Sequence, residues 1–107
     1  ADGLAALAEA GTQVARLSLI GGGSRSRNWG AIIAAATGVE LEFLEGGEVG
    51  PALGAARLAL IGVGGAEIAA ACTRPPVAAT IGPDPALADR LAAKLTRYRA
   101  ATALARI

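Results

Sequence analysis

Residues 17–29 read LSLIGGGSRSRNW, and this stretch decides the fold because it joins three kinds of local structure without a break. The apolar run at its start is typical of a buried strand, and three glycines follow at once. The next apolar residues have the i, i+3, i+4, i+7 spacing of an amphipathic helix, namely Trp29, Ile32, Ile33 and Ala36. We therefore expect a strand, a glycine turn and a helix N-terminus in this order.

The glycine turn is a candidate site for an anion or a nucleotide. Glycines permit positive φ angles and a close approach of the backbone to a ligand. The start of the following helix offers unpaired N–H groups and the positive end of the helix dipole. A plain strand-to-helix turn would use the same residues, so the spacing alone leaves both interpretations open.

Composition limits the size of the core and the classes of partner. The chain has 107 residues, which fits one small domain or part of a larger one. Hydrophobic residues make up 53% and aromatic residues only 3%, so the core must consist of Ala, Leu, Ile and Val. The net charge of +1 argues against nucleic acid or an anionic membrane as a partner. No uninterrupted apolar run reaches the roughly 18 residues of a membrane span.

Cysteine and histidine usage excludes several kinds of chemistry. Cys72 is the single cysteine, so no internal disulfide can form, and we expect a reduced, cytoplasmic setting. Alanines flank Cys72, which favours a buried structural thiol over a nucleophile. The chain contains no histidine, which removes Ser-His-Asp and Cys-His catalysis and the usual zinc sites. We predict no metal-binding residue.

The first half of the chain predicts a βαβ unit. A helix over residues 2–10, with Asp2 as its N-cap, precedes a strand over residues 14–20. A helix over residues 26–37 then joins this strand to a second one over residues 39–44, which requires parallel strands and a right-handed crossover. Glu40 and Glu42 share one face of the second strand. A solvated face near a sheet edge is favoured for them over an acid–base pair.

The second half predicts mainly helices. A helix beginning near Pro51 is apolar nearly all round and is expected to be largely buried. A short helix over residues 66–72 follows, and the prolines within 73–83 predict a surface loop. Asp84 is the predicted N-cap of a long amphipathic helix over residues 84–104. Two strands cannot support so many helices, so the chain is expected to be part of a domain.

Two separated segments carry a resemblance to a known family. Residues 19–26 read LIGGGSRS, with Trp29 three residues further on, and residues 45–59 read EGGEVGPALGAARLA. At these positions the chain resembles the C-terminal part of the FGGY family of carbohydrate kinases, over residues 2–61 and more loosely to the terminal helix. The resemblance implies an α/β fold: the C-terminal portion of an actin-like ATPase (ribonuclease H-like) domain. Its expected parts are a βαβ core, flanking helices and a long C-terminal helix, and residues 1–107 would form a partial, nucleotide-side domain.

The resemblance also implies an activity, and it implies which part of the enzyme binds the nucleotide and which part binds the sugar. The expected reaction of the complete enzyme is ATP-dependent phosphorylation of a sugar hydroxyl, with D-xylulose as the expected sugar and D-xylulose 5-phosphate as the product. ATP and Mg²⁺ are the expected cofactors, the remainder of the parent chain is the expected partner, and a homodimer is left open. The sugar site and the general base belong to a domain outside this chain, so no catalytic residue is expected here. The family's adenosine motif falls on a few residues of the glycine turn and the helix start: Gly21, Gly22, Gly23, Ser26 and, by position only, Asn28.

Two other functions remain open from the residues alone. The pattern Gly21-x-Gly23-x-x-Ser26 approximates a dinucleotide-binding fingerprint, with Glu45 after the second strand as the ribose-binding acid. Ser26 replaces the third glycine of that fingerprint, which weakens it. A non-enzymatic module that pairs with another chain through an open sheet edge is the other alternative.

Overall fold

The computed structural model describes residues 1–105 as a small three-stranded sheet with helices around it. The elements in chain order are α1 (Asp2–Glu9), β1 (Arg16–Leu19), α2 (Arg27–Thr37), β2 (Glu40–Leu44), α3 (Gly50–Gly62), α4 (Ile68–Ala71), β3 (Val77–Ile81) and α5 (Pro85–Ala105). Two 3₁₀ turns, Gly22–Arg25 and Gly47–Val49, follow β1 and β2.

The predicted βαβ unit is confirmed. β1 and β2 are parallel neighbours, with Arg16 opposite Glu40 and Leu19 opposite Phe43. α2 makes the connection between them and packs on β2. Parallel pairing brings the C-terminal ends of both strands to the same edge of the sheet, so the two 3₁₀ turns that follow these strands lie side by side.

β3 corrects the prediction of a loop over residues 73–83. Val77–Ile81 pairs antiparallel with β2, and Leu41 lies opposite Ile81. Pro75 and Pro76 themselves lie outside regular structure, as predicted. The strand begins directly after them, so neither proline has to donate a hydrogen bond to the sheet. The sheet order β1-β2-β3 makes β2 the central strand.

A small core lies between α2 and the sheet. Its fully enclosed apolar side chains come from these two elements: Ala34, Ala35, Leu41 and Phe43. Gly30 is also buried, and a Cβ there would lie only 2.4 Å from Phe43 Cζ. The missing side chain therefore allows α2 to approach β2 closely, as expected for a core made of small residues.

Side-chain caps fix the starts of α2 and α5, whereas α1 begins without one. Ser26 Oγ accepts a hydrogen bond from Trp29 N at 3.1 Å, and Asp84 Oδ1 accepts one from Ala86 N at 2.9 Å. The long terminal helix and its Asp84 cap are thus confirmed. Asp2 was expected to cap α1, but Ala1 occupies the cap position and Asp2 is the first helical residue.

Two expectations of burial are wrong. α3 was expected to be largely buried, yet none of its residues is buried and Leu58 is 73% exposed. Cys72 was expected to be buried or half-buried, and its thiol is exposed. The apolar sequence predicted both helices, although α4 is shorter than the expected 66–72 and Cys72 follows its last residue. Nothing within residues 1–105 covers these surfaces. None of the helices described there is both long and apolar enough to cross a lipid bilayer.

Candidate functional site

The glycine turn connects β1 to α2. At one position in this turn, the backbone has a conformation that only glycine readily adopts. Gly21 has φ 78° and ψ −168°, and the 3₁₀ turn Gly22–Arg25 begins immediately after it. A residue with a Cβ is strained in this conformation. The chain therefore turns sharply away from the end of β1 and reaches the start of α2 within a few residues.

Hydrogen bonds within the turn fix its shape. The carbonyl of Gly21 accepts from Ser24 N at 3.0 Å and from Ser24 Oγ at 2.8 Å. Ser26 N donates to the carbonyl of Gly23 at 3.1 Å. Within residues 1–105, the N–H groups of Gly22 and Gly23 have no such partner. A Cβ built on Gly22 would meet nothing within 4 Å, whereas one on Gly23 would lie 3.2 Å from Trp29 Cδ1.

A second glycine turn supports the first one. Gly21 N donates to the carbonyl of Gly47 at 2.8 Å, and a Cβ on Gly47 would lie 3.4 Å from the carbonyl oxygen of Leu19. The sequence shows the glycine pair at residues 46–47 but gives no sign of this contact. The contact follows from the parallel register of β1 and β2, which brings both strand ends to one edge of the sheet.

The structure brings the predicted nucleotide-binding residues together in one segment. Gly21, Gly22 and Gly23 form the turn, and Ser26 is the N-cap of α2. Asn28 lies in the first turn of α2 and is exposed. The Ser26 hydroxyl accepts a hydrogen bond from the Trp29 N–H, which gives Ser26 a structural role as a helix cap. Nucleotide binding by all five residues stays a prediction.

Trp29 lies between this turn and the terminal helix. Its helical spacing with Ile32 and Ile33 predicts a core position, but Trp29 is 50% exposed, so that prediction is wrong. Its indole contacts the turn, since a Cβ on Gly23 would lie 3.2 Å from Trp29 Cδ1. On its other side the indole lines an apolar groove of about 570 Å³ between α2 and α5, together with residues such as Ile32, Leu95 and Tyr98.

Two arginines lie near the start of α2. The guanidinium carbon of Arg27 is 4.1 Å from the centroid of the Phe43 ring, a cation–π arrangement. Phe43 itself is buried against Gly30. Arg25, at the end of the 3₁₀ turn, is exposed. Both residues thus flank the start of α2 in the sequence, and the structure gives the Arg27 guanidinium a partner in Phe43.

Glu42 corrects the expectation of a solvated carboxylate face on β2. Its side chain is 1% exposed, and its carboxylate is held by Arg16, Arg74 and Ser18. Arg16 reaches Glu42 at 3.0 Å and also pairs with Glu40 at 2.8 Å, which together raise the pKa of Arg16. Glu42 is enclosed because β2 is the central strand and arginines cover its polar face. Its oxygens are already occupied, which speaks against general acid–base work.

The described residues contain no group of His, Cys, Asp and Glu suited to hold a metal ion. What the arrangement offers a ligand is a turn with two unpaired N–H donors followed directly by a helix start. Such a combination suits phosphate or other anionic oxygens without a lysine.

Comparisons with known proteins point to one family. Residues 1–63 match the FGGY family of carbohydrate kinases, C-terminal domain. Xylulose kinase of Escherichia coli K12 is 48% identical over 61 residues, which cover 57% of this chain and 13% of that protein. Xylulose kinase of Klebsiella pneumoniae is 44% identical over 63 residues, again 13% of its length.

A solved structure extends the similarity to nearly the whole chain. The crystal structure of a xyloylose kinase from Brucella ovis aligns with a TM-score of 0.74 and 42% identity. The alignment covers 98% of this chain and 22% of that protein. The chain thus spans only a minor part of the length of the relatives that it matches.

Proposed function

The chain belongs to the FGGY family of carbohydrate kinases, within its C-terminal domain, and from this premise we propose that it is the nucleotide-side part of an ATP-dependent sugar kinase. The expected α/β, actin-like ATPase fold is confirmed by the family match and by the structural neighbour. The proposed reaction of the complete enzyme is phosphorylation of D-xylulose to D-xylulose 5-phosphate. The names of the three similar kinases support this choice of sugar.

The observation that carries the proposal is the glycine turn at the end of β1. The unpaired N–H groups of Gly22 and Gly23 are suited to the oxygens of a nucleotide, and the positive φ of Gly21 provides the turn in which they lie. We assign nucleotide binding to this segment, with Ser26 and Asn28 at the start of α2 on the adenosine side. The role of Asn28 rests on its position alone.

The chemical step is assigned to the rest of the parent kinase. A phosphoryl transfer requires the γ-phosphoryl group, the sugar hydroxyl and a general base to be aligned as the domains close. The buried Glu42 is engaged by arginines and is not proposed as that base. We assign Mg²⁺ to the nucleotide phosphates in the complete kinase.

The apolar side chains that α3 exposes support the proposal that this chain packs against the remainder of the parent kinase. α3 presents Leu58 and Leu60 to solvent, and Val63 directly after it is 93% exposed. Residues of this kind are normally covered in a folded protein. We propose that the rest of the kinase packs on this side, in a cytoplasmic enzyme; a homodimer contact would be an addition to it.

The first test is substrate-dependent ADP release by the complete kinase that contains this chain. The enzyme is supplied with ATP and Mg²⁺ and with D-xylulose, L-ribulose, glycerol or gluconate in parallel. We expect strong preference for D-xylulose. Turnover of another of these substrates would retain the kinase but change its sugar, and no turnover with any of them would overturn the proposal.

A binding measurement separates the kinase from the dinucleotide-binding alternative. β1 and its glycine turn resemble the start of a dinucleotide-binding unit, and NAD is the ligand that this alternative requires. We expect the complete kinase to bind ADP and not NAD in isothermal titration calorimetry. Tighter binding of NAD than of ADP would favour the alternative.

A further inference from the structure

The side chain of Trp29 contacts the glycine turn at a position where glycine is needed for space and not for conformation. A Cβ on Gly23 would lie 3.2 Å from Trp29 Cδ1 and 3.4 Å from Nε1, closer than most carbon contacts. Gly23 is not among the glycines with positive φ, in contrast to Gly21. An alanine could therefore adopt the Gly23 backbone, and what opposes it is the edge of the indole.

The indole is itself held from two directions. The backbone N–H of Trp29 donates to Ser26 Oγ at 3.1 Å, which ties the residue to the end of the turn. The side chain lines the groove between α2 and α5, where Leu95 and Tyr98 form part of the opposite wall. The indole therefore fills the space between this groove and the turn, and one edge of it lies against Gly23.

We propose that Trp29 is a positioning residue of the nucleotide site: its indole sets the place of the Gly23 backbone. This inference rests on the proposed nucleotide-binding function of the turn. Trp29 acts through Gly23 and does not itself contact the nucleotide. The indole edge keeps the N–H groups of Gly22 and Gly23 in the arrangement that receives the ligand.

If Trp29 had a purely structural role, a different result would be expected. Ile32 provides the matched control for this comparison. Ile32 lies on α2 one helical turn after Trp29 and lines the same groove. Replacing either residue removes apolar packing against α5. Loss of packing alone would lower thermal stability in both variants and leave nucleotide affinity the same in both. A positioning role lowers the affinity only when Trp29 is changed.

The experiment measures Trp29→Leu, Trp29→Phe and Ile32→Ala in the complete kinase. Dissociation constants for ADP, KM for ATP, kcat and Tm are recorded for each. We expect Kd and KM to rise about tenfold in Trp29→Leu, with kcat at saturating ATP nearly unchanged. Ile32→Ala should lower Tm without this change in Kd. Trp29→Phe keeps a ring in the groove but lacks the indole edge, so it should fold well and still bind ADP more weakly.

A double-mutant cycle then tests the contact itself. Gly23→Ala should weaken ADP binding in the wild-type background, because the new Cβ pushes against the indole. In the Trp29→Leu background this cost should be smaller, with a coupling of roughly threefold to tenfold in Kd, as found for residues in contact. Additive effects, or equal losses of affinity in Trp29→Leu and Ile32→Ala, would overturn the inference and leave the nucleotide site in place. Failure of the unmodified kinase to bind ADP would overturn the proposed function and the inference together.

Discussion

At Gly21 the shape of the turn depends on one backbone conformation. Its φ of 78° and ψ of −168° lie in a region that residues with a Cβ avoid, while a Cβ there would meet no neighbouring atom within 4 Å. Gly21→Ala should therefore lower the free energy of unfolding by about 1–3 kcal/mol through backbone strain alone. Urea unfolding of the 107-residue chain measures this loss.

Gly22→Ala is the control for that strain. Gly22 is the next residue of the same turn, its φ is not positive, and a Cβ there also meets nothing within 4 Å. Its effect on the free energy of unfolding should be clearly smaller than that of Gly21→Ala. Equal losses in the two variants would mean that the conformation of Gly21 is not the cause.

Individual residues also show where sequence reasoning reaches its limit. Asp84 was recognised as a cap because the cap lies next to its own helix in sequence. Glu42 and Trp29 were misjudged because their environments come from distant segments. Glu42 is enclosed by arginines from β1 and from the segment before β3, and the indole of Trp29 remains half exposed beside α5. Spacing along one element does not reveal such partners.

Within the sheet, the central strand β2 depends on arginines that neutralise its buried carboxylate. Arg74 lies in the segment before β3 and pairs with Glu42, which is 1% exposed. Arg74→Ala should lower the free energy of unfolding by about 1.5–3 kcal/mol, because a charged group loses a hydrogen bond inside the fold. Arg90→Ala, at an exposed position of α5, should have little effect on the same urea measurement.

A second substitution tests whether Arg74 stabilises the fold through its ion pair with Glu42. In a Glu42→Gln background the carboxylate charge is gone, so Arg74→Ala should cost much less than in the wild type. An undiminished cost in that background would show that Arg74 stabilises the fold by packing and not through Glu42.

Helices were easier to predict from this sequence than strands. The spacing of apolar residues and the capping residues predicted α2 and α5 closely, and β1 and β2 followed from short apolar runs. β3 was missed because Pro75 and Pro76 suggested a loop and a five-residue strand gives little signal against them. The exposure of α3 could not be predicted either, because an apolar helix indicates that a surface is to be covered but not which part of a protein covers it.

Across the whole molecule, one ion pair joins elements from opposite ends of the sequence. Arg99 Nε donates to Asp2 Oδ1 at 2.7 Å, connecting α5 to α1. This hydrogen bond lowers the pKa of Asp2 from 3.8, so the folded state favours the carboxylate. The resulting stabilisation is fully present above pH 3.8 and is lost as the pH falls through the lower pKa of the folded state.

Thermal unfolding of the wild type and of Asp2→Asn should therefore converge at low pH. At neutral pH we expect the wild type to have a slightly higher Tm, and 1 M salt should reduce the difference, since both side chains are exposed. Asp89→Asn removes another exposed carboxylate, on α5, and serves as the control. A Tm difference for Asp2→Asn that persists below the pKa of the folded state would contradict the assignment.

A substitution at Gly54 should change stability differently in the 107-residue chain and in the complete kinase. It lies inside α3, where a Cβ would meet nothing within 4 Å in this structure. Gly54→Ala should therefore stabilise the isolated chain by about 0.5–1 kcal/mol through helix propensity. In the complete kinase, where we propose that α3 is covered, the gain should vanish or become a loss. Measuring the same gain in both proteins would argue against close packing on this side of α3.

The central place of β2 has a consequence for hydrogen exchange. Amides of β2 bond to strands on both sides, whereas β1 bonds to a single neighbour in the described sheet and leads directly into the glycine turn. Deuterium should therefore enter β2 last, and the unpaired amides of Gly22 and Gly23 should exchange first. A nucleotide bound at this turn, as we propose, should therefore slow exchange most at Gly22 and Gly23, where local opening costs least.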